Sequence, residues 1–281
     1  MPCNDGAGAV ADTSRTSTAA SRIGLRTVAL AYVGLILLLP VGLLFWRTFE
    51  NGVGEVWNQL TDPSALHAFR ITLIVAFFAV LGNTIFGLGA SVLLVRHEFP
   101  GKRVFNALID LPFAVSPVVV GLALILVYGP HTSTGGWLAD RGVDVIFAVP
   151  GMVIATIFVS LPLVVREVVP VLQEIGDEQE QAAWTLGASR PQTFRRITLP
   201  AIRWALAYGV VLTLARALGE FGAVAVVSGN VIDKTQTAPL YVGSAYQNFN
   251  QQGAYAVAFA LALIAILALV VLNLLRPKEH A

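Results

Sequence analysis

Six stretches of this chain stay apolar for about the length of a membrane crossing: residues 27–46, 70–95, 105–128, 145–165, 204–228 and 254–275. An α-helix needs roughly 20 such residues to span the hydrocarbon layer. Every backbone N–H and C=O in lipid must be bonded within the segment, so these stretches are expected to be helices. Arg216 and Glu220 interrupt the fifth. Before the first span the chain is rich in Ala, Ser, Thr and Gly, with no apolar period. The pattern predicts a disordered tail over 1–25, a membrane domain over 26–275 and a second short tail over 276–281. No internal repeat is visible, which argues against a carrier built from inverted repeats.

Composition narrows the class. Of 281 residues, 56% are hydrophobic and 12% charged, with a mean hydropathy of +0.73. These values describe a polytopic membrane protein with membrane lipid as its solvent, and the six stretches make it an all-α integral membrane protein of six transmembrane helices. A net charge of +1 gives no field that would attract nucleic acid. Cys3, the single cysteine, forms no internal disulfide, and Met1-Pro2 before it is no signal region for a lipid anchor.

Charge sets the expected orientation. Cytoplasmic segments carry an excess of Lys and Arg. Alternate loops hold most of the 18 basic residues: the N-terminal segment, Arg96 to Arg103, Arg166 to Arg203, and Arg276 with Lys278. The opposite loops hold Arg47, Arg70, Arg141 and Lys234. Both termini and the 167–203 loop are therefore expected in the cytoplasm. Trp57, Trp137, Tyr241 and Tyr246 fall in the outer loops, where interfacial anchors belong.

The 167–203 loop reads as two short helices. Asp177 and Glu180 have capping-box spacing, and Ala182, Ala183 and Leu186 share one face. Gly187 suits a left-handed helix end. Ser189 with Gln192 is a second capping box, Phe194 and Ile197 form the next apolar face, and Pro200 is expected to end it. Two capped helices make either a rigid knob for a partner groove or an amphipathic loop on the membrane surface.

The spacing Ala182-Ala183, three residues, Gly187, nine residues, Ile197-x-Leu199-Pro200 resembles the EAA motif of permease subunits of bacterial ABC importers. Gln181 stands where that motif has Glu, with Glu180 beside it, which puts the charged contact in question. The segments 112–129, 146–152 and 158–162 look like sulfate permeases, and Ala215 to Ala223 is similar to sulfate and molybdate permeases alike. Residues 227–230 and 234–240 lean toward the W-type sulfate subunit rather than its T-type partner, with Ala238 where Leu is usual.

The resemblance implies a type I ABC importer permease of MetI-like architecture in a bacterial cytoplasmic membrane, importing sulfate and thiosulfate. It implies three partners: a homologous T-type permease, a cytoplasmic ATPase dimer and an extracytoplasmic sulfate-binding protein. Coupling to the ATPase would fall to Glu180, Gln181, Ala182, Ala183, Gly187, Ile197, Leu199 and Pro200. The chain shows no His-Glu-x-x-His and no Gly-Lys-Ser/Thr phosphate loop. It is expected not to be an enzyme by itself and to bind no cofactor, with ATP and Mg on the partner.

Ionisable residues at membrane depth are costly. Arg216 and Glu220, four apart on one helix, read either as a structural pair or as part of an anion path. Ser116, Ser160, Ser228 and Asn230 are further path candidates, and Asp110 reads as a solvated charge at a span end. Rival readings are a molybdate or tungstate permease, an ion-coupled anion carrier using Arg216–Glu220, and a membrane scaffold that docks a soluble enzyme.

Overall fold

The computed structural model describes residues 19–275, and every regular element among them is helical. Two units divide the chain, 1–47 and 48–281. The first holds most of α1 (Ala19–Phe49), whose apolar side chains, such as Leu37, Leu38 and Trp46, are exposed. A helix apolar all round suits lipid on every side.

The second unit begins with α2 (Val53–Leu60) and α3 (Pro63–Arg96). Pro63 fills a first-turn position of α3, and Asp62 Oδ1 accepts from the N–H of Ser64 and Ala65 at 3.0 and 3.2 Å. Next come α4 (Lys102–Ala114), α5 (Pro117–Tyr128), α6 (Ser133–Ala139) and α7 (Val149–Ile175). After α7 lie α8 (Glu178–Thr185), α9 (Arg190–Thr193) and a π turn over Phe194–Thr198 that runs into α10 (Leu199–Leu218). The chain closes with α11 (Gly222–Ser228), α12 (Ala238–Gln247) and α13 (Gln251–Leu275).

The centre is α7 packed between α3 and α10. Val164 of α7 is fully buried beneath two glycines. A Cβ on Gly87 of α3 would lie 2.7 Å from Val164 Cβ, and one on Gly209 of α10 would lie 2.9 Å from its Cα. In lipid, helices associate largely by such close contact of small residues. Asn83 of α3 adds a buried bond, donating to Ser160 Oγ of α7 at 2.8 Å.

Five single helices among the described residues are long and apolar enough to cross a membrane, and α4 with α5 makes a sixth as a bent pair. The expected third span, 105–128, is thus broken: the chain bends by 112° between α4 and α5. Pro117 causes the break, because the residue before a proline is pushed out of the helical region; Ser116 sits at φ −61°, ψ 134°. The expected fifth span, 204–228, also divides, ending at Leu218 before α11 starts at Gly222. The fourth runs ten residues past its expected end at 165, so α7 takes the first part of the expected 167–203 loop and leaves 176–198 between α7 and α10. α1 starts at Ala19, ahead of the expected 27. Residues 1–18 of the expected tail, Cys3 among them, and residues 276–281 lie outside the described residues.

Candidate functional site

The segment between α7 and α10 is built from tightly capped pieces. Gly187 closes α8 at φ +85°, a left-handed conformation that side chains disfavour. Its N–H bonds the Trp184 carbonyl at 3.0 Å, and the Ala188 N–H bonds the Ala183 carbonyl at 3.0 Å. This pair of bonds is the Schellman arrangement, which satisfies the carbonyls orphaned at a helix end. The Ser189 N–H donates to Gln192 Oε1 at 2.9 Å, so the second capping box forms as expected.

Of three expectations for this segment, two fail and one narrows. The first concerns Asp177 and Glu180, which form no capping box. Asp177 caps nothing with its side chain and instead accepts from Gln181 Nε2 at 2.8 Å. The second concerns only the side of α8 on which Glu180, one of the expected coupling residues, stands. Glu180 is 7% exposed and faces Arg96 at the end of α3. The third concerns Pro200, which does not end the helix. The Leu199 N–H reaches back five residues to Phe194, and this wider turn leads into α10 with Pro200 in its first turn. A proline ring collides with the carbonyl four residues back in a regular helix, and a π turn relieves that collision.

Arg96 joins this segment to the spans. Its guanidinium donates to both Glu180 oxygens at 3.1 and 3.2 Å, to the Leu172 carbonyl at 3.2 Å and to the Gly176 carbonyl at 2.6 Å. Thr198 Oγ1 donates to Glu180 Oε1 at 2.8 Å. The outward side of α8 is different. Gln181, Ala182 and Gly187 are exposed there, Ala183 is half-buried, and the large apolar groups Trp184 and Leu186 are 47% and 88% exposed. Ile197 and Leu199 are half-buried on the following turn. Two large apolar groups are thus held out on the polar-flanked end of α8.

Within the membrane, Glu220 is buried at the break between α10 and α11. Its Oε1 accepts from the Ala223 N–H at 3.0 Å, at the start of α11. Arg216 Nη1 lies 3.0 Å from Oε2, out of line for a hydrogen bond, so charge rather than an aligned bond holds the pair. The Arg216 side chain is 41% exposed and that of Glu220 2%. Gly222, two residues on, packs against Pro117, so exposed Ser116 lies on the neighbouring break.

Ser228 and Asn230 sit at the other end of α11, in a closed loop. Ser228 Oγ accepts from the Asn230 N–H at 3.1 Å, and Asn230 Oδ1 accepts from Gln236 Nε2 at 3.0 Å. Ser160 is wholly buried between α7 and α3, donating to the Thr156 carbonyl and accepting from Asn83, so it packs helices. Asp110 is not a free end charge: Arg166 Nε bonds its Oδ1 at 2.8 Å, with a second contact between Arg166 Nη2 and Oδ2, which ties α4 to α7.

Arg96, Thr198 and Trp184 are the residues that sequence reasoning did not single out. Arg96 ends an apolar span, as interfacial arginines ordinarily do, and its three partner residues are distant in sequence.

Helices long enough to cross a membrane, broken at two points beside a charge pair and with a capped segment between two of them, define a multi-span membrane protein. The chain belongs to the family of binding-protein-dependent transport system inner membrane components, which it matches over residues 83–279. It is 48% identical over 254 residues to the sulfate transport system permease protein CysW of Synechocystis, covering 90% of this chain and 92% of that one. It is 39% identical over 250 residues to the sulfate transport system permease protein CysT of Salmonella typhimurium, covering 89% and 90%. The fold is that of a crystallised bacterial ABC transporter involved in alginate import, with a TM-score of 0.74 at 17% identity over 90% of this chain and 93% of that one.

Proposed function

We propose that this chain is one permease subunit of an ATP-driven importer that moves sulfate, and thiosulfate, across the cytoplasmic membrane. The observation that carries the reading is the 48% identity to a sulfate permease over nine tenths of both chains. A T-type permease is its natural counterpart, because the chain is also 39% identical to one along nearly its whole length. An extracytoplasmic binding protein would deliver the anion, in keeping with the family's description. Two ATPase subunits, which hold the ATP and Mg, would grip the knobs of the two permeases. Both termini and the knob lie in the cytoplasm in this reading, as the distribution of Lys and Arg supports.

The geometry accounts for the work in physical terms. Trp184 and Leu186 anchor the knob in a groove of the ATPase, and the capped turns around Gly187 and Ser189 keep it stiff. ATP binding closes the ATPase pair and shifts the knobs; stiff helices pass that shift to the breaks between α4 and α5 and between α10 and α11. A channel must hold its ion weakly enough to release it. Arg216 meets that need: half-exposed, it attracts an anion, and Glu220 behind it limits the attraction. Ser116 offers a hydroxyl on the adjoining break.

Radiolabelled sulfate uptake in cells lacking the chain, with and without its restoration, tests the reading. Restored uptake that excess thiosulfate competes and low molybdate does not is the expected outcome. Unrestored sulfate uptake with restored molybdate uptake would overturn the substrate assignment.

A further inference from the structure

A buried ionic network ties the coupling knob to one end of the bundle. We infer that Arg96 is the positioning residue that makes the knob move as one body with the spans, with Glu180 and Thr198 as its relay. This rests on the knob being the ATPase contact.

The argument starts from what each group satisfies. Arg96 is the last residue of α3, and its planar fork reaches three destinations at once. Two are carbonyls at the end of α7, Leu172 and Gly176, which the helix leaves without intrahelical partners. A cation there also meets the negative end of the helix dipole. The third is the Glu180 carboxylate, gripped through both oxygens in the first turn of α8. Thr198 completes the set, bonding Glu180 from the π turn at the foot of α10. Three spans and the coupling helix therefore meet on two side chains.

Burial makes the joint stiff. The side chains of Arg96 and Glu180 are 14% and 9% exposed. The void beside them, lined by Ile175, Ile197 and Ile202 among others, holds only about 10 Å³, no more than one water needs. Water is thus poorly placed to replace a broken bond, and the charges keep most of their mutual attraction. Displacing α8 alone would strand a buried carboxylate against a buried guanidinium. The cheaper motion carries the ends of α3, α7 and α10 along with it. Lysine would not serve equally, because a point donor does not span two carbonyls and a carboxylate as the fork does.

The arrangement also gives Glu180 a role different from that of the motif glutamate, whose place Gln181 takes. Its charge is spent inside the subunit, while neighbouring Gln181 and Trp184 face out. Contact with the ATPase and transmission to the spans are thereby divided between the two sides of one short helix.

The test uses the whole importer in proteoliposomes with its binding protein, measuring ATP hydrolysed per sulfate moved and the ATPase retained on purification. With Arg96→Ala, retained ATPase stays within roughly twofold of wild type, while ATP spent per sulfate rises about tenfold, the scale of a disrupted coupling network. Arg96→Lys falls between the two. If Arg96→Ala does not accumulate, Thr198→Val, which removes only the hydroxyl, decides the matter with a rise of roughly threefold.

An unchanged ratio in these variants overturns the inference. So does loss of ATPase from the complex in Arg96→Ala and Thr198→Val alike, since the network would then shape the docking surface rather than transmit through it. Trp184→Ala separates the two readings. If it releases the ATPase while the Arg96 and Thr198 ratios stay normal, the knob assignment stands and the network assignment fails. If it leaves attachment and uptake intact, the knob assignment fails and takes this inference with it.

Discussion

Glu220 shows how little freedom a single buried carboxylate has. One oxygen starts α11 through the Ala223 N–H, and the other has only the charge of Arg216 opposite. Arg216→Ala leaves that carboxylate buried and uncompensated, at a cost of about 2 kcal/mol, toward the low end because Arg216 is half-open to its surroundings. Arg216→Ala with Glu220→Gln keeps the acceptor for α11 and removes the stranded charge. Sulfate uptake and membrane accumulation are therefore expected to be better in the double variant than in the single one; equal or additive losses would contradict the pairing. Gly187 makes a second case. Space around it is open, but its φ of +85° penalises any β-branched residue. Gly187→Val costs about 1–2 kcal/mol in strain, so coupled uptake falls while insertion, read by membrane content, stays normal. Gly187, the Ser189–Gln192 box and the Arg216–Glu220 pair were legible because each lies within four residues of its partner. Arg96 was not, because its partners at 172, 176 and 180 come close only when α3 and α7 pack.

At the scale of elements, the informative feature is where helices stop. An apolar run predicts a span, and residues 105–128 form such a run, yet α4 and α5 diverge by 112°. Pro117 was visible in the sequence, but prolines also sit inside α7 at Pro162 and Pro170 without ending it. The difference is what receives the chain afterwards. α5 packs on α11 so closely that a Cβ on Gly121 would lie 2.7 Å from Val226 Cβ and 2.9 Å from the Ala223 carbonyl. Gly121→Ala is expected to push α5 off α11 at a cost of about 1–3 kcal/mol. The check is the thermal midpoint of the purified subunit, which should fall, alongside uptake, which should fall further because the breaks flank the charge pair. Pro200 teaches the converse. The sequence marked it as a stop, but the π turn before it lets the helix continue from α9 into α10.

For the whole molecule, the alternation of spans places the 176–198 segment on one side of the membrane and the segment around α6 on the other. Cysteine introduced at Ala188 or at Gly142, in a background with Cys3→Ser, makes this measurable with a membrane-impermeant maleimide on intact spheroplasts. Labelling at Gly142 and protection at Ala188 is the expected pattern, reversed on inside-out vesicles. The opposite pattern would invert the orientation and remove the knob from any cytoplasmic ATPase. Adding sulfate-loaded binding protein to the assembled importer should raise ATP hydrolysis, and Trp184→Ala should abolish that rise by freeing the ATPase from the knob.

Sequence by itself determined the class, the approximate spans and the existence of a capped segment between two of them. Those properties follow from local terms: the cost of lipid-exposed polar groups, the 3.6-residue period, and glycine and serine at helix ends. Tertiary structure decided the rest. It turned Glu180 inward to Arg96, tied Asp110 to Arg166, broke the third span at Ser116–Pro117 and carried α10 through Pro200. Each outcome depends on what another helix presents at that depth. A carboxylate beside an empty face is a contact residue; the same carboxylate beside a guanidinium anchored on two carbonyls becomes part of the frame.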